Sequence, residues 1–375
     1  MIQNVHLTLL IGPTVPIPAP RPLMDALQSV QVTTAAGAAS GFQLTFAVAN
    51  DSPLHTILLL AANASPTFLR VIIVLTINGS PDVLADGVIE RQEITPGESA
   101  GTSTLTVSGK DLTLVMDQQE FSGIPYPAMP DFARVAVVCA KYAMFGIVPL
   151  PVPPIFEDIP IPTDRIPCHE GTDLAYVNQL AADVGHTFYI DPGPLPGMNT
   201  AYWGPQVKVG IPQPALNTNL DAHTNVESLT FSISHSDKEM PVVFVYSTLL
   251  KVAIPIPIPD VNPLQPPLGV VPPFPKKFDL MKDTARLSPI AALGRGLARA
   301  AGTADVVTGS GSLDVVRYGR LLKARSLVGV RGAGQAFDGL YYVQSVTTSL
   351  KRGECKQSFS LTRNALISIT PRVPV

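Results

Sequence analysis

The chain has 375 residues, 46% of them apolar, and 26 Lys and Arg against 29 Asp and Glu give a formal net charge of −3. That length is a prior for two to three domains, and near-neutrality argues against both a basic nucleic-acid surface and an acidic tail. Only 15% of residues are charged, against roughly 25% in ordinary soluble domains, which favours a surface partly covered by partners over a free-standing β protein.

Residues 1–120 read as all-β. Phe42, Leu44, Phe46 and Val48 alternate with Gln43, Thr45, Ala47 and Ala49, the period of a half-buried strand. Leu69–Ile77 is a continuous apolar run, expected of a strand covered on both faces, and it ends at the turn pair Asn78-Gly79. Ser108-Gly109, between Thr102–Val107 and Leu112–Met116, predicts a second hairpin. Over residues 129–146, Phe132, Val135, Val138 and Tyr142 recur at helical spacing up to Gly146. Residues 148–162 are Pro-rich and should run extended, because Pro lacks the N–H that a sheet interior needs. Thr172 predicts an N-cap, Leu174, Val177, Ala181 and Val184 one apolar helix face, Gly185 the stop, and Thr187–Ile190 a strand. Residues 226–249 read as two strands around a polar turn. A second Pro-rich stretch, 251–275, is expected to lie extended on protein, since its Ile and Val are unlike a solvated linker. Ser288 and Pro289 then open a short helix with Ile290, Leu293 and Leu297 as its stripe. Residues 311–365 return to β, with Asp338-Gly339 predicting a two-residue turn before Tyr342–Val346, and Ser358–Thr362 the closing strand.

No residue set that carries chemistry converges. Cys168-His169-Glu170 offers two zinc-ligand types, but adjacent residues do not easily face one metal, and no CxxC, HxxxH or HExxH lies nearby. His55, His186, His223 and His235 stand alone in their segments. Glu90, Glu93, Asp111 and Asp117 lie in or beside β segments and read as solvent-facing rather than as a hydrolytic pair. There is no GxSxG elbow. Gly309-Ser310-Gly311-Ser312 and Arg331-Gly332-Ala333-Gly334 lack the phosphate-loop pattern and read as turns. Arg286, Arg295 and Arg299 read as a solvated helix face, not a nucleic-acid surface. The expectation is no catalytic, cofactor or metal-binding residue and no enzyme. The N-terminus has no basic region before its Pro-broken apolar run. The longest apolar stretch, 132–156, carries Arg134, Lys141 and four prolines, whereas a membrane span needs about 20 apolar residues. Cys139, Cys168 and Cys355 are sparse and odd in number, which fits free thiols in a cytoplasmic protein without membrane insertion.

Two stretches carry a resemblance. Residues 171–191, GTDLAYVNQLAADVGHTFYID, resemble the segment of phage late control protein D and VgrG-type hubs in which a TDL helix leads into an aromatic strand. Residues 311–366 are similar to the last barrel of that family. There Phe337-Asp338-Gly339-Leu340-Tyr341-Tyr342-Val343 matches a DGxYYV hairpin, and Ser358-Phe359-Ser360-Leu361-Thr362-Arg363 matches the closing strand. The resemblance implies a mainly β fold with a few helices and two tube-like β-barrels. Residues 1–120 would form the first barrel, 121–225 a mixed middle region with a Pro-rich arm, 226–250 with 311–366 the second, discontinuous barrel, and 251–310 a Pro-rich insert. It further implies a homotrimer, a pseudo-sixfold tail hub of a contractile phage tail or injection system. That hub would join a sixfold inner tube protein to a threefold spike protein beside other baseplate proteins. VgrG-type proteins continue past this point into a spike, so here the spike is expected on a separate chain. The rivals are a tail-tip cell-wall hydrolase and a β-rich adhesion or carbohydrate-binding module. The latter would want exposed aromatics, but aromatics are 6% and Trp203 is the sole Trp.

Overall fold

A computed structural model describes residues 5–49, 52, 68–97, 102–157, 159–234, 238–247, 251–259, 265–282, 284 and 287–369. The first part is built from β1 (Val5–Gly12), β2 (Ile17–Pro18), α1 (Arg21–Ala26), β3 (Leu27–Ala35), β4 (Gly41–Ala49), β5 (Arg70–Ile77), β6 (Ser80–Pro96) and β7 (Thr102–Asp111). The middle contains α2 (Thr113–Met116), α3 (Asp131–Ala140), β8 (Ile147–Pro151), α4 (Asp173–Val184), β9 (Thr187–Pro192) and β10 (Asn199–Gly204). Then follow β11 (Gln213–Asn217), β12 (Val226–Ile233), β13 (Glu239–Ser247), β14 (Val252–Pro257), β15 (Gly269–Val271), β16 (Lys277–Met281) and α5 (Pro289–Gly302). The last part is β17 (Val307–Asp314), α6 (Val315–Tyr318), β18 (Leu327–Arg331), β19 (Gly339–Lys351), β20 (Glu354–Arg363) and β21 (Leu366–Ser368).

The mainly β class stands, with its two β regions joined. One thirteen-stranded sheet runs β12-β17-β20-β19-β3-β4-β7-β6-β5-β1-β2, with β18 and β11 branching from β19. The seam is the antiparallel pairing of β19 with β3, from Ser345 opposite Ala35 to Lys351 opposite Ser29. No barrel closes among the described residues. Smaller sheets β8-β10-β9 and β14-β13-β16 lie outside it, and β15 pairs β21. Thus β12 joins the large sheet, whereas β13 pairs with the two insert strands β14 and β16.

Three cores explain this arrangement. Phe42, Leu44, Phe46 and Val48 bury their face of β4 with Val30, Val32, Leu105 and Val107. Val226, Leu313, Val343, Val346, Phe359 and Leu361 fill the second β region. The expected doubly covered strand is β5, where Val71 and Ile73 enter the first core, Leu75 and Ile77 the second, and Ile72 and Val74 are buried as well. Helices α3 and α4 pack with Ile190, Ala201 and Trp203 in the third core. Arg70 ties the first to the third through a fork to buried Asp86, with both N–O distances 2.7 Å, and a 2.8 Å bond to the Phe145 carbonyl. Asn199 of β10 donates to the same Asp86 at 2.9 Å.

Local signals held where geometry is short-range. Asn78 and Gly79 sit at φ 50° and 84° and turn β5 into β6. Thr172 accepts from the Ala175 amide at 3.2 Å, and Gly185 ends α4 at φ 71°. Ser288 caps α5, with Pro289 first in the helix.

Four expectations need correction. Ser108-Gly109 is no hairpin, because β7 runs straight through it to Asp111 and Leu112–Met116 lies in and before α2. A Cβ at Gly109 would lie 2.3 Å from the Val88 carbonyl oxygen and 2.4 Å from the Phe42 ring, so glycine there permits close approach. Gly309-Ser310-Gly311-Ser312 is likewise the middle of β17, where Phe231 and Phe359 pack over the glycines. Asp338-Gly339 is not a two-residue turn, since β18 ends at Arg331 and Gly339 opens β19 at φ 130° after a longer loop. On α5 the buried residues are Ala292, Gly294, Gly296 and Ala300, while Ile290 is exposed. Small residues let the helix lie close on Val243 and Ile258, and that outweighs the larger side chains of the predicted stripe.

Candidate functional site

The most extensive feature is the non-core face of eight consecutive strands, β12-β17-β20-β19-β3-β4-β7-β6. Between the bulges at Val226/Ser228, Val343/Ser345, Leu27/Ser29 and Ile89/Arg91, alternation sends the apolar residues inward and the register fixes the other face. Across β12, β17, β20 and β19 it carries the rows Thr230–Ser310–Ser360–Ser345 and Ser228–Ser312–Ser358–Thr347. Across the seam it continues as Thr33, then Gln31–Gln43–Ser108–Arg91 and Ser29–Thr45–Thr106–Glu93. Neighbouring hydroxyls bond across strands: Ser228 to Ser312 at 2.9 Å, Thr230 to Ser310 at 3.0 Å, Ser345 to Ser360 at 2.9 Å and Thr33 to Thr347 at 3.0 Å. Each such pair contributes roughly 0.2–1 kcal/mol. In these rows no aliphatic or aromatic side chain appears. Charges gather toward the strand ends and pair, Lys110 with Glu90 at 2.7 Å, Arg91 with Glu93 at 3.1 Å, and Lys356 with Glu227 and Glu354 at 2.9 and 3.1 Å. The result is a nearly neutral hydroxyl wall that crosses both β regions.

All seven pairings along the wall are antiparallel. Among the described strands β12 ends it on one side. The second half of β6, beyond Val88 where the pairing with β5 stops, ends it on the other. With an even number of alternating strands, the two end strands run in opposite directions.

The TDL segment is a structural node behind the wall. Asp173 is fully buried at the start of α4 and accepts from Lys141 at 2.9 Å and from the Tyr142 hydroxyl at 2.7 Å. Thr172 also donates to Asp117 at 2.7 Å. His169 is fully buried beside them, 3.3 Å from the Tyr126 hydroxyl at Nδ1. Its Nε2 lies 3.3 Å from an Asp173 oxygen but off the hydrogen-bond direction, and it has no hydrogen-bond partner. Burial pushes the His169 imidazole below its usual range, against the opposing pull of the Asp173 charge. Cys168 and Glu170 are exposed whereas His169 is fully buried, so the Cys168-His169-Glu170 triple does not share one environment. Among the described residues no group of three His, Cys, Asp or Glu is placed to hold a metal.

The remaining candidates are scattered. His186 lies edge-on to Trp203 at 4.5 Å, and burial pushes it down to about 4. His223 is exposed in a turn, while His55, His235 and Arg286 lie outside the described residues. Glu90 and Glu93 face solvent as expected. Asp111 does not: it is buried, accepts from the Ser40 and Thr113 amides at 3.0 and 3.1 Å, and burial pushes its carboxyl up. Arg299 is exposed as expected and pairs with Asp279 and Glu239 at 2.9 Å, while Arg295 is half-buried and pairs with Asp183 at 2.6 Å. Arg331-Gly332-Ala333-Gly334 does open a loop, with both glycines at positive φ. Of the family-like residues, Tyr341, Tyr342 and Val343 are core, and Arg363 is buried over the Tyr341 ring, donating to the Asp338 and Ala336 carbonyls at 3.0 and 2.6 Å. All three cysteines are free thiols, and burial pushes Cys139 and Cys355 up to about 12. Sequence reading missed the wall, although Ser, Thr or Gln alternate with apolar residues in seven of its eight strands, β6 presenting Arg91 and Glu93 instead.

No protein-family model matches the sequence, and no curated protein matches it either. Solved structures do. A tail protein from Neisseria meningitidis MC58 superposes at a TM-score of 0.63 with 14% identity, over 96% of this chain and 97% of that one. The 43 kDa tail protein of prophage MuSo2 from Shewanella oneidensis gives 0.63 and 14%, over 97% and 100%. A chain of the Francisella PdpA–VgrG complex gives 0.56 and 10%, over 100% of this chain and 60% of that one. The fold is that of phage tail proteins and VgrG-related tail components.

Proposed function

We propose that this chain is a structural tail hub, in which three copies close head to tail into a pseudo-sixfold ring. The ring joins the sixfold inner tube of a contractile injection machine to its threefold spike, with other baseplate proteins around it. It is made in the cytoplasm, assembled into the particle and catalyses nothing. The observation that carries this reading is the wall. Its end strands, β12 and the second half of β6, run in opposite directions. A second copy placed beside the first can therefore continue the same antiparallel alternation without a break. A head-to-tail contact of this kind either closes into a ring or grows into a filament, and a strand edge left unpaired invites association. Each subunit would bring two four-strand units, β12-β17-β20-β19 and β3-β4-β7-β6, which is how three copies present six similar units to the tube. These would belong to the expected tube-like units, 1–120 and 226–250 with 311–366, except that β13 sides with the insert strands β14 and β16 and that β17 already begins at Val307. The likeness to tail proteins supports the same setting, and the resemblance of residues 311–366 supplies the copy number.

The test is the mass in solution. Light scattering on the chromatographed protein, alone and mixed with its tube and spike partners, is expected to give three copies. A species that stays monomeric with both partners present contradicts the hub.

A further inference from the structure

We propose that residues 152–159 of one copy dock as an extended arm into the open cleft between β1 and β3 of a second copy. The cleft holds about 470 Å³ and is lined by Val5–Leu9 of β1, Met24, Leu27–Val30 of β3, and Leu350–Gly353 at the turn from β19 to β20. Its floor is apolar: Leu9, Leu27 and Val30 are buried, and half-buried Leu7 and Leu350 touch both large cores. One wall is a strand edge. β1 pairs with β5 along its whole length, and Leu9 turns its carbonyl away from β5 to accept from the Ala19 amide at 2.8 Å. The alternation of an antiparallel ladder sends the main-chain groups of Leu7 and Val5 the same way, into the cleft. An extended segment lying there gains backbone pairing and an apolar floor together.

The chain itself supplies a segment of matching chemistry. Its root is fixed where the Val152 amide donates to the Trp203 carbonyl at 2.7 Å, next to the edge strand β8. Beyond it Ile155, Ile159 and Ile161 are 60%, 57% and 60% exposed, an apolar series left in water. Pro153 and Pro154 favour an extended backbone and lessen the entropy lost on docking, whereas Pro160 is buried in its own chain and Pro162 stands in the turn that the Asp164 and Arg165 amides close on the Ile161 carbonyl, so the free part of the arm ends near Ile159. The amides of Ile155, Phe156, Glu157 and Ile159 would be the donors to the cleft edge. Charge agrees as well. Lys351 and Arg352 stand exposed at the rim and form no ion pair among the described residues, while the arm carries exposed Glu157. In the single chain the arm leads away over α4 and α5, where Phe156 lines a separate cleft with Leu180 and Leu287. The occupant of the β1–β3 cleft is therefore a second copy, and its docking is separate from pairing at the ends of the wall.

Disulfide trapping tests this with the full chain. In a Cys168→Ser background, His6→Cys protein is mixed with Ile159→Cys protein under mild oxidation. The expected result is a covalent dimer formed about tenfold faster than with Val15→Cys, a 78% exposed control. Reversing the rim with Lys351→Glu and Arg352→Glu is expected to slow trapping about fivefold, and Glu157→Lys to restore it. Trapping no faster than the control overturns the proposal, as does a disulfide forming only within one chain of the double variant. Light scattering on the same samples shows separately whether the ring forms, so loss of arm docking in an intact trimer overturns this inference and leaves the hub standing.

Discussion

Gly339 is where a turn-based and a packing-based account of the same residue diverge. The sequence places it in a two-residue turn, where Asn would be the mildest substitute because it tolerates the left-handed region. In the structure its φ is 130°, far from the left-handed helical well near +57°, so Asn has no advantage over Ala. A Cβ added there would stand 2.7 Å from Ser368 Oγ, 2.9 Å from Ser368 Cβ and 3.2 Å from an Arg363 guanidinium nitrogen. Backbone strain alone costs about 1–3 kcal/mol. The clash adds to it by pushing on β21 and on the buried Arg363, which closes the loop over Tyr341. Differential scanning calorimetry of Gly339→Ala and Gly339→Asn is expected to show similar losses of roughly 3–10 °C in Tm. Gly339→Val is expected to be worse, and Ser368→Gly to recover part of the loss for Ala. If Asn melts near wild type while Ala does not, Gly339 sits in a left-handed turn and this reasoning fails. If Ala is neutral, the close packing around β21 is wrong.

Asp86→Asn leaves the Arg70 guanidinium buried without its carboxylate, and urea unfolding is expected to show a loss of about 3–5 kcal/mol. The double change Arg70→Met with Asp86→Leu is expected to cost less than the single one; the reverse order would contradict the geometry around Asn199. His186 is held neutral by burial, with its value lowered from 6.5 to about 4. Such a group contributes stability above pH 6.5 that is lost as pH falls through about 4, with a full extent of about 3 kcal/mol. Buried His169 acts in the same direction. His186→Gln is therefore expected to flatten the fall in the urea midpoint between pH 6.5 and 4, and an unchanged slope would refute the assignment.

What the sequence made legible was local. Alternation in Phe42–Val48, the run Leu69–Ile77, the Asn78-Gly79 turn and the Thr172 and Ser288 caps each depend on residues within a turn or a strand of one another, and each was found in place. What it did not show was pairing at distance. Thr33 meets Thr347 across 314 residues of chain, and Asp86 meets Asn199 across 113. No periodicity encodes either contact. The glycines misled for the same reason: Gly109, Gly309 and Gly311 look like turns in one dimension, but serve strands or rings brought against them from elsewhere. Asp111 reads as a surface acid until Ser40 and Thr113 close over it. The wall was written in the alternating Ser and Thr of its strands, yet it becomes one surface only through the joining of β19 to β3.

The central claim is that this wall continues from copy to copy. A cryo-electron-microscopy map of the assembled protein, at a resolution that separates strands, tests it most directly. The account predicts three copies around a channel lined by Ser228, Ser310, Ser358, Thr347, Thr33 and Gln43, with β12 of each copy beside the second half of β6 of the next. A ring whose hydroxyl face points outward, or whose contacts leave both of those strands uncovered, would contradict it.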